Sequence, residues 1–163
     1  MNNIFRGYFQ HSLDAKGRVA IPNTYRRLLP SKHKGELYLN KGRDNVIEVH
    51  SPEVWEKFEK EIIMNLSRFH AESLRIRRGF QANITSVKLD FQGRILIPAQ
   101  YKEYAKINHD VIIAGNGDFF EIWNPENFEQ YQKNIDTHFT SDIENIDKLI
   151  EIGRKLNLNN PKQ

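Results

Sequence analysis

Leu13-Asp14-Ala15-Lys16-Gly17-Arg18-Val19-Ala20-Ile21-Pro22 occurs a second time as Leu89-Asp90-Phe91-Gln92-Gly93-Arg94-Ile95-Leu96-Ile97-Pro98, and Tyr25 and Tyr101 continue the match. The offset is a constant 76 residues. Self-similarity at this length marks a structural unit present twice. In each copy an extended, partly apolar run (Ile4 to Leu13; Asn83 to Leu89) leads into Asp-x-x-Gly. That is a turn composition: Gly takes the positive-φ position and Asp bonds nearby backbone N–H groups. Arg-Val-Ala-Ile and Arg-Ile-Leu-Ile then read as a second strand, ended by Pro22 and Pro98, which cannot donate to a ladder. Each copy is therefore expected to open as a β-hairpin, with Asp at one end of the turn and Arg four residues on.

The pattern continues in both copies. Asn23 to Leu29 and Ala99 to Lys106 read as short helices, and Ser31 to Gly35 reads as a basic loop. Glu36–Asn40 and Asn45–His50 read as strands around Lys41–Asp44; Val111–Ala114 and Phe119–Trp123 read as strands around Gly115–Asp118. Ser51-Pro52-Glu53 and Asn124-Pro125-Glu126 then start helices in the same way: a cap residue, proline at the first helical position and an acid near the positive end of the dipole. Between the copies, Val54, Trp55, Phe58, Ile62, Ile63, Leu66 and Phe69 recur at helical spacing. A second helix is expected over Phe69 to Ile76, closed by Arg75-Ile76-Arg77-Arg78-Gly79. That basic cluster either opposes the dipole of a helix C-terminus or meets nucleic acid. After the second copy, helices are expected from Pro125 to Ile135 and from Ser141 to Leu156. The second carries a stripe of Ile143, Ile146, Leu149, Ile150 and Leu156, which packs either in its own core or on a neighbouring subunit.

Composition narrows the function. The chain has 163 residues, 39% of them apolar, enough for a buried core. It has no cysteine, so disulfide and thiolate chemistry are absent. The N-terminus lacks an apolar signal core and no apolar run is long enough to span a bilayer, so the expected location is cytoplasmic. Residues 1–43 hold nine Lys/Arg against Asp14 and Glu36, a net +7, whereas residues 107–151 hold ten acids against Lys133 and Lys148, a net −8. Such asymmetry points to a polyanion-binding end and a differently employed other end. None of the six histidines lies three or four residues from another, so no local metal pair is present. No nucleophile elbow or phosphate-binding loop occurs, and Gly115-x-Gly117 reads as a hairpin turn. Asp14 and Asp90 invite a reading as paired catalytic carboxylates across a pseudo-twofold axis, but an Arg four residues on holds each ionised, which suits structure better than proton transfer. No enzyme activity, cofactor, metal or small-molecule substrate is expected.

Together, Phe5-Arg6-Gly7, Leu13-Asp14-x-Lys16-Gly17-Arg18, Ile21-Pro22, Tyr25-Arg26, the second Leu89-Asp90-x-Gln92-Gly93-Arg94-Ile95-Leu96-Ile97-Pro98 and Gly115-x-Gly117-Asp118-x-Phe120-Glu121-Ile122-Trp123 resemble the bacterial MraZ family. The resemblance covers roughly residues 5–130. It implies an α+β chain in which two AbrB-like units interlock as swapped hairpins into a small β-barrel of two pseudo-symmetric halves, with helices between and after the repeats. The organisation expected is a first unit over 5–51, a helical connector over 52–82, a second unit over 83–127, C-terminal helices over 128–156 and a disordered tail over 157–163. The resemblance further implies a nucleoid-associated, ring-like homo-oligomer. Such a ring would bind direct repeats of double-stranded DNA in the promoter of the division and cell-wall gene cluster containing its own gene, typically as a repressor.

Carried onto this sequence, the DNA contact maps to Asp14, Lys16 and Arg18. On charge, Arg18 is assigned to base or groove contact, and Lys16, Arg6, Arg26 and Arg27, flanking the first turn, to phosphates. Asp14, Gly17, Asp90, Gly93 and Arg94 are read as turn-supporting, since a carboxylate near phosphates is repelled. The second copy replaces Lys16 by Gln92 and Arg26-Arg27 by Lys102-Glu103, leaving it a structural, subunit-contact or secondary DNA role. Two other readings remain open. One is an AbrB-type antitoxin-like DNA-binding protein; the other is a ring-forming protein that acts through its acidic helices.

Overall fold

The computed structural model describes residues 4–158. It comprises a compact unit reaching Pro125 and a second unit from Glu126 onward. In the first unit the elements run β1 (Tyr8–Ser12), β2 (Arg18–Ala20), α1 (Asn23–Arg26), β3 (Glu36–Lys41), β4 (Ile47–His50), α2 (Pro52–Glu61) and α3 (Ala71–Asn83). They continue as β5 (Thr85–Lys88), β6 (Arg94–Leu96), α4 (Ala99–Tyr104), β7 (Asp110–Asn116) and β8 (Phe119–Trp123). The two long C-terminal helices are α5 (Pro125–Glu144) and α6 (Ile146–Leu158).

The strands form a six-stranded antiparallel sheet of order β1-β7-β8-β4-β3-β5 and a separate two-stranded ribbon, β2-β6. The order reads the same from either end once the copies are exchanged. β1 of the first copy pairs with β7 of the second, and β5 of the second pairs with β3 of the first. At the centre of the β4–β8 ladder Glu48 faces Glu121, its counterpart; in the ribbon Val19 faces Ile95, its counterpart. An approximate two-fold axis therefore runs through both ladders.

This arrangement corrects two expectations. β1 and β2 form no hydrogen-bonded hairpin: β1 pairs with β7 in the large sheet and β2 with β6 in the ribbon. Only the base of the turn closes locally, through Asp14 N–H to the Arg18 carbonyl at 2.8 Å and Gly17 N–H to the Asp14 carbonyl at 2.9 Å. Just before the turn, Leu13 N–H already bonds the His109 carbonyl at 2.8 Å. Nor is the barrel closed, since β1 and β5 are the two edges of the large sheet.

The core lies between the sheet and the ribbon. Val19, Ile21, Ile95, Ile97, Leu37, Leu39, Ile113, Phe120 and Ile122 are all buried there with Tyr25 and Tyr101. The two tyrosines do equivalent work: Tyr25 donates its hydroxyl to the carbonyls of Arg6 and Gly7, and Tyr101 donates to those of Leu39 and Asn83. Each ties a short helix back to a strand start, and a buried hydroxyl needs such a partner. Phe5 meets the rings of Tyr25 and Phe120 edge-on, each with a 5.1 Å centroid separation. Here the chain crosses so near β7 that a side chain at Gly115 would overlap the backbone of Phe5 and Arg6.

The helices depart from expectation in length. Ser51 caps α2 as read, its Oγ accepting the Val54 N–H at 3.4 Å. α3, however, passes through Gly79 to Asn83, so the arginine cluster sits mid-helix and not at a C-terminus. Phe80 continues the helix by packing on Trp55 and Phe58, which outweighs the cost of an interior glycine, about 1 kcal/mol. Arg77 turns inward and donates to the Ile63 and Leu66 carbonyls at 2.9 and 3.2 Å, while Arg75 and Arg78 are exposed. In the second unit α5 is one helix of 20 residues without a break at Ile135. Thr137 and His138 bond back to the Lys133 and Asn134 carbonyls, keeping polar side chains inside the helix. α6 begins at Ile146 and includes residues 157 and 158 of the expected tail; residues 159–163 lie outside the described part.

Candidate nucleic-acid interface

Both Asp-x-x-x-Arg turns are built alike. Asp14 Oδ1 accepts the backbone N–H of Lys16 at 2.9 Å and of Arg18 at 3.0 Å, and Oδ2 accepts Arg18 Nε at 2.8 Å. Asp90 repeats this with Gln92 at 2.9 Å, Arg94 at 3.0 Å and Arg94 Nε at 2.8 Å. Gly17 and Gly93 occupy φ +78° and +76°, a conformation other residues adopt only with strain. The backbone N–H of the Arg foremost, helped by its guanidinium and a second N–H, holds each carboxyl below its ordinary value of 3.8, against a smaller opposing effect of burial.

The two turns also join each other. Arg94 Nη1 lies 3.4 Å from Asp14 Oδ2, and Arg18 Nη1 lies 3.9 Å from Asp90 Oδ2. Two carboxylates and two guanidiniums thus form a quartet across the two-fold axis, with no net charge. The side chains of Arg18 and Arg94 remain 30% and 22% exposed, so each guanidinium keeps an outward edge. Arg18 and Leu96 are cross-strand partners, as are Ala20 and Arg94. Such partners share a face, so these four residues form the outer surface of the ribbon, while Val19 and Ile95 point into the core.

The basic residues around the quartet are distributed differently from the linear reading. Arg26 does not flank the first turn. It reaches across the axis and covers the second, where a Cβ on Gly93 would overlap its guanidinium. Lys102, the counterpart of Arg26, covers the first turn, with its Nζ 3.0 Å from a Cβ placed on Gly17. The crossing follows from the ribbon, in which Ile21 N–H bonds the Gly93 carbonyl and Ile97 N–H bonds the Gly17 carbonyl, so each strand leads its helix over the other copy's turn. Lys16 is exposed at the tip of the first turn, and Arg27 is exposed at the end of α1. Arg6 is exposed, its backbone beside Gly115. Three residues of this surface carried no assignment in the sequence reading: Lys102, Phe91 and Leu96. Each is visible in the alignment of the copies, opposite Arg26, Ala15 and Ala20.

Among the described residues no cluster of three or more His, Asp or Glu is placed to hold a metal, and no helix is long and apolar enough to cross a membrane.

The family model described as "MraZ protein, putative antitoxin-like" matches twice, over residues 4–79 and 80–149. The chain belongs to the MraZ family. Curated MraZ relatives extend along nearly the whole molecule. A protein named "Transcriptional regulator MraZ" from Thermoanaerobacter sp. is 39% identical over 88% of this chain and 96% of its own length. Proteins of the same name are 37% identical in Caldanaerobacter subterraneus subsp. tengcongensis, over 86% of this chain and 95% of the relative. In Treponema denticola the figure is 34%, over 90% of this chain and 98% of the relative. These names are those of transcriptional regulators and not of enzymes.

Proposed function

We propose that the protein is a DNA-binding transcriptional regulator that meets double-stranded DNA with the outer face of the β2–β6 ribbon and the two turns beside it. The observation that carries this reading is the quartet. It brings both Asp-x-x-x-Arg turns onto one surface and neutralises its own four charges. Attraction to phosphate then falls to Lys16, Arg26, Arg27 and Lys102, with Arg6 further out. The held guanidinium of Arg18 offers its remaining N–H groups to a base edge at little further entropic cost, since Asp14 already fixes it. A two-stranded ribbon is a shape the major groove admits. The names of the curated relatives support the regulatory role.

One such surface is small for specific binding. In this reading the protein is a homo-oligomer, ring-like as the family resemblance implies, whose repeated surfaces meet direct repeats upstream of its own gene cluster and repress it, with avidity supplied by effective concentration. It acts at the nucleoid in the cytoplasm. The exchange of strand partners between copies is read as the swapped-hairpin arrangement of AbrB-like units.

The test is a salt series of binding to the chain's own upstream DNA, with one or several repeats, comparing wild type and Arg18→Ala. Expected are a steep salt slope, a large affinity loss on reduction to one repeat, and loss of the sequence-specific part in the variant. An Arg18→Ala protein that still discriminates its site as well as wild type does would overturn the assignment of Arg18.

A further inference from the structure

On this outward surface the two copies differ in one direction. Where the first has Ala15 and Ala20, the second has Phe91 and Leu96. Phe91 is 94% exposed at the tip of its turn, and Leu96 is 52% exposed opposite Arg18 on the ribbon. The inward partners of the same strands, Val19 and Ile95, are fully buried, so neither exposed residue is needed by the core. Two large apolar side chains beside a neutral ion-pair quartet and a rim of Lys16, Arg26 and Lys102 call for an occupant that is both anionic and locally apolar. Major-groove DNA fits: its phosphates answer the cations, and the thymine C5-methyl is the one apolar group on the groove floor.

Resting on the DNA-binding reading above, we infer that Phe91 and Leu96 are apolar contacts of the interface that pack on thymine methyl groups, Phe91 from the second turn and Leu96 from the ribbon beside the first, where it faces Arg18. The first-copy turn supplies cationic contact through Lys16. The surface is then two-fold in backbone but polar in recognition, and it sets the direction in which each copy lies on a non-palindromic repeat. The ring of Phe91 contributes attraction that salt does not screen, unlike that of Lys16.

The experiment compares wild type with Phe91→Ala, Leu96→Ala and Lys16→Ala on the upstream repeat DNA, with thymine or with deoxyuridine, which lacks the methyl. Oligomer size is followed by light scattering. Phe91→Ala is expected to weaken binding roughly tenfold or more with the salt slope unchanged, since it removes buried apolar contact. Deoxyuridine should weaken wild type and Lys16→Ala but leave Phe91→Ala nearly indifferent. Lys16→Ala should lower the salt slope by about one contact. Wild-type affinity in Phe91→Ala and Leu96→Ala, with Lys16→Ala impaired, overturns the apolar contacts and leaves the DNA surface standing. Indifference of all three variants overturns the surface itself. A Phe91→Ala protein of altered oligomer size and unchanged affinity per site makes Phe91 a subunit contact and also overturns the inference, as does equal sensitivity to deoxyuridine in wild type and Phe91→Ala.

Discussion

The two Asp-x-x-x-Arg turns share one bonding pattern, with the same three carboxylate distances of 2.9, 3.0 and 2.8 Å, yet they present different chemistry to the outside. Leu, Asp, Gly, Arg, Ile, Pro and Tyr, the residues identical between copies, are those that build the turn, close the quartet or fill the core. The residues that differ in chemistry, Ala15 against Phe91, Lys16 against Gln92, Ala20 against Leu96 and Arg27 against Glu103, are exposed or lie at the rim, whereas the buried Val19 and Ile95 exchange one β-branched side chain for another. Duplication leaves the folding code in both halves and lets the recognition code diverge. It also makes neither half complete, because each copy's edge strand needs the other's sheet.

The sharpest way to break that last statement is in the ribbon. Ile95 is fully buried against Val19 on the two-fold axis. Ile95→Ala should cost about 2–5 kcal/mol and lower Tm by roughly 5–15 °C. Scanning calorimetry of the variant should still show the strands of both copies unfolding in one transition. Two separated transitions, one for each copy, would show that the halves fold independently and that the interleaved sheet is not the cooperative unit.

A medium-sized effect separates the turns from one another. Gly17→Ala and Gly93→Ala both force a side chain into positive φ, each costing about 1–3 kcal/mol. Only Gly93→Ala also displaces Arg26. The two variants should therefore lose similar stability in urea melts, while the salt slope of DNA binding falls further, by about one contact, in Gly93→Ala. Equal slopes would place Arg26 away from phosphate.

Much of this was legible in the chain itself. A constant offset and Asp-x-x-Gly-Arg chemistry locate the turns, the short strands after them and the duplicated plan. What the linear reading missed about strand pairing has one cause. Hydrophobic alternation says that a segment is a strand but not which strand it joins, and here the partner lies about a hundred residues away for β1. The hairpin expected within each copy and the position expected for Arg26 both fail on that point. The length of α3 fails for a different reason, because Arg77 and Phe80 serve tertiary contacts that override the stop signal of an arginine run before glycine.

The axis is crossed a second time by a pair that tests how equal the halves are. Glu48 and Glu121 face each other on β4 and β8. Each is held by an asparagine and an aromatic N–H: Asn40 and His50 for Glu48, Asn116 and Trp123 for Glu121. Burial raises both, but for Glu48 the bonds from His50 and Asn40 win and hold its carboxyl below the ordinary 4.5. For Glu121 burial wins over the bonds from Trp123 and Asn116, and the charges of Glu48 and Asp44 add to it, so its carboxyl lies above 4.5. The consequences have opposite sign. A raised carboxyl binds more protons folded than unfolded, so Glu121 contributes stability that is fully present below 4.5 and is lost as pH rises through its folded value. Glu48 contributes stability that is present above 4.5 and is lost as pH falls through its depressed value. Relative to wild type, Glu121→Gln should flatten the Tm profile above 4.5, and Glu48→Gln should flatten it below, each by about 2 °C or less. Carboxyl chemical shifts followed by NMR should titrate Glu48 first and Glu121 last as pH rises. If both groups instead titrate together near 4.5, the equivalence of the copies extends to their electrostatics, and the divergence between the halves is confined to the surface around the turns.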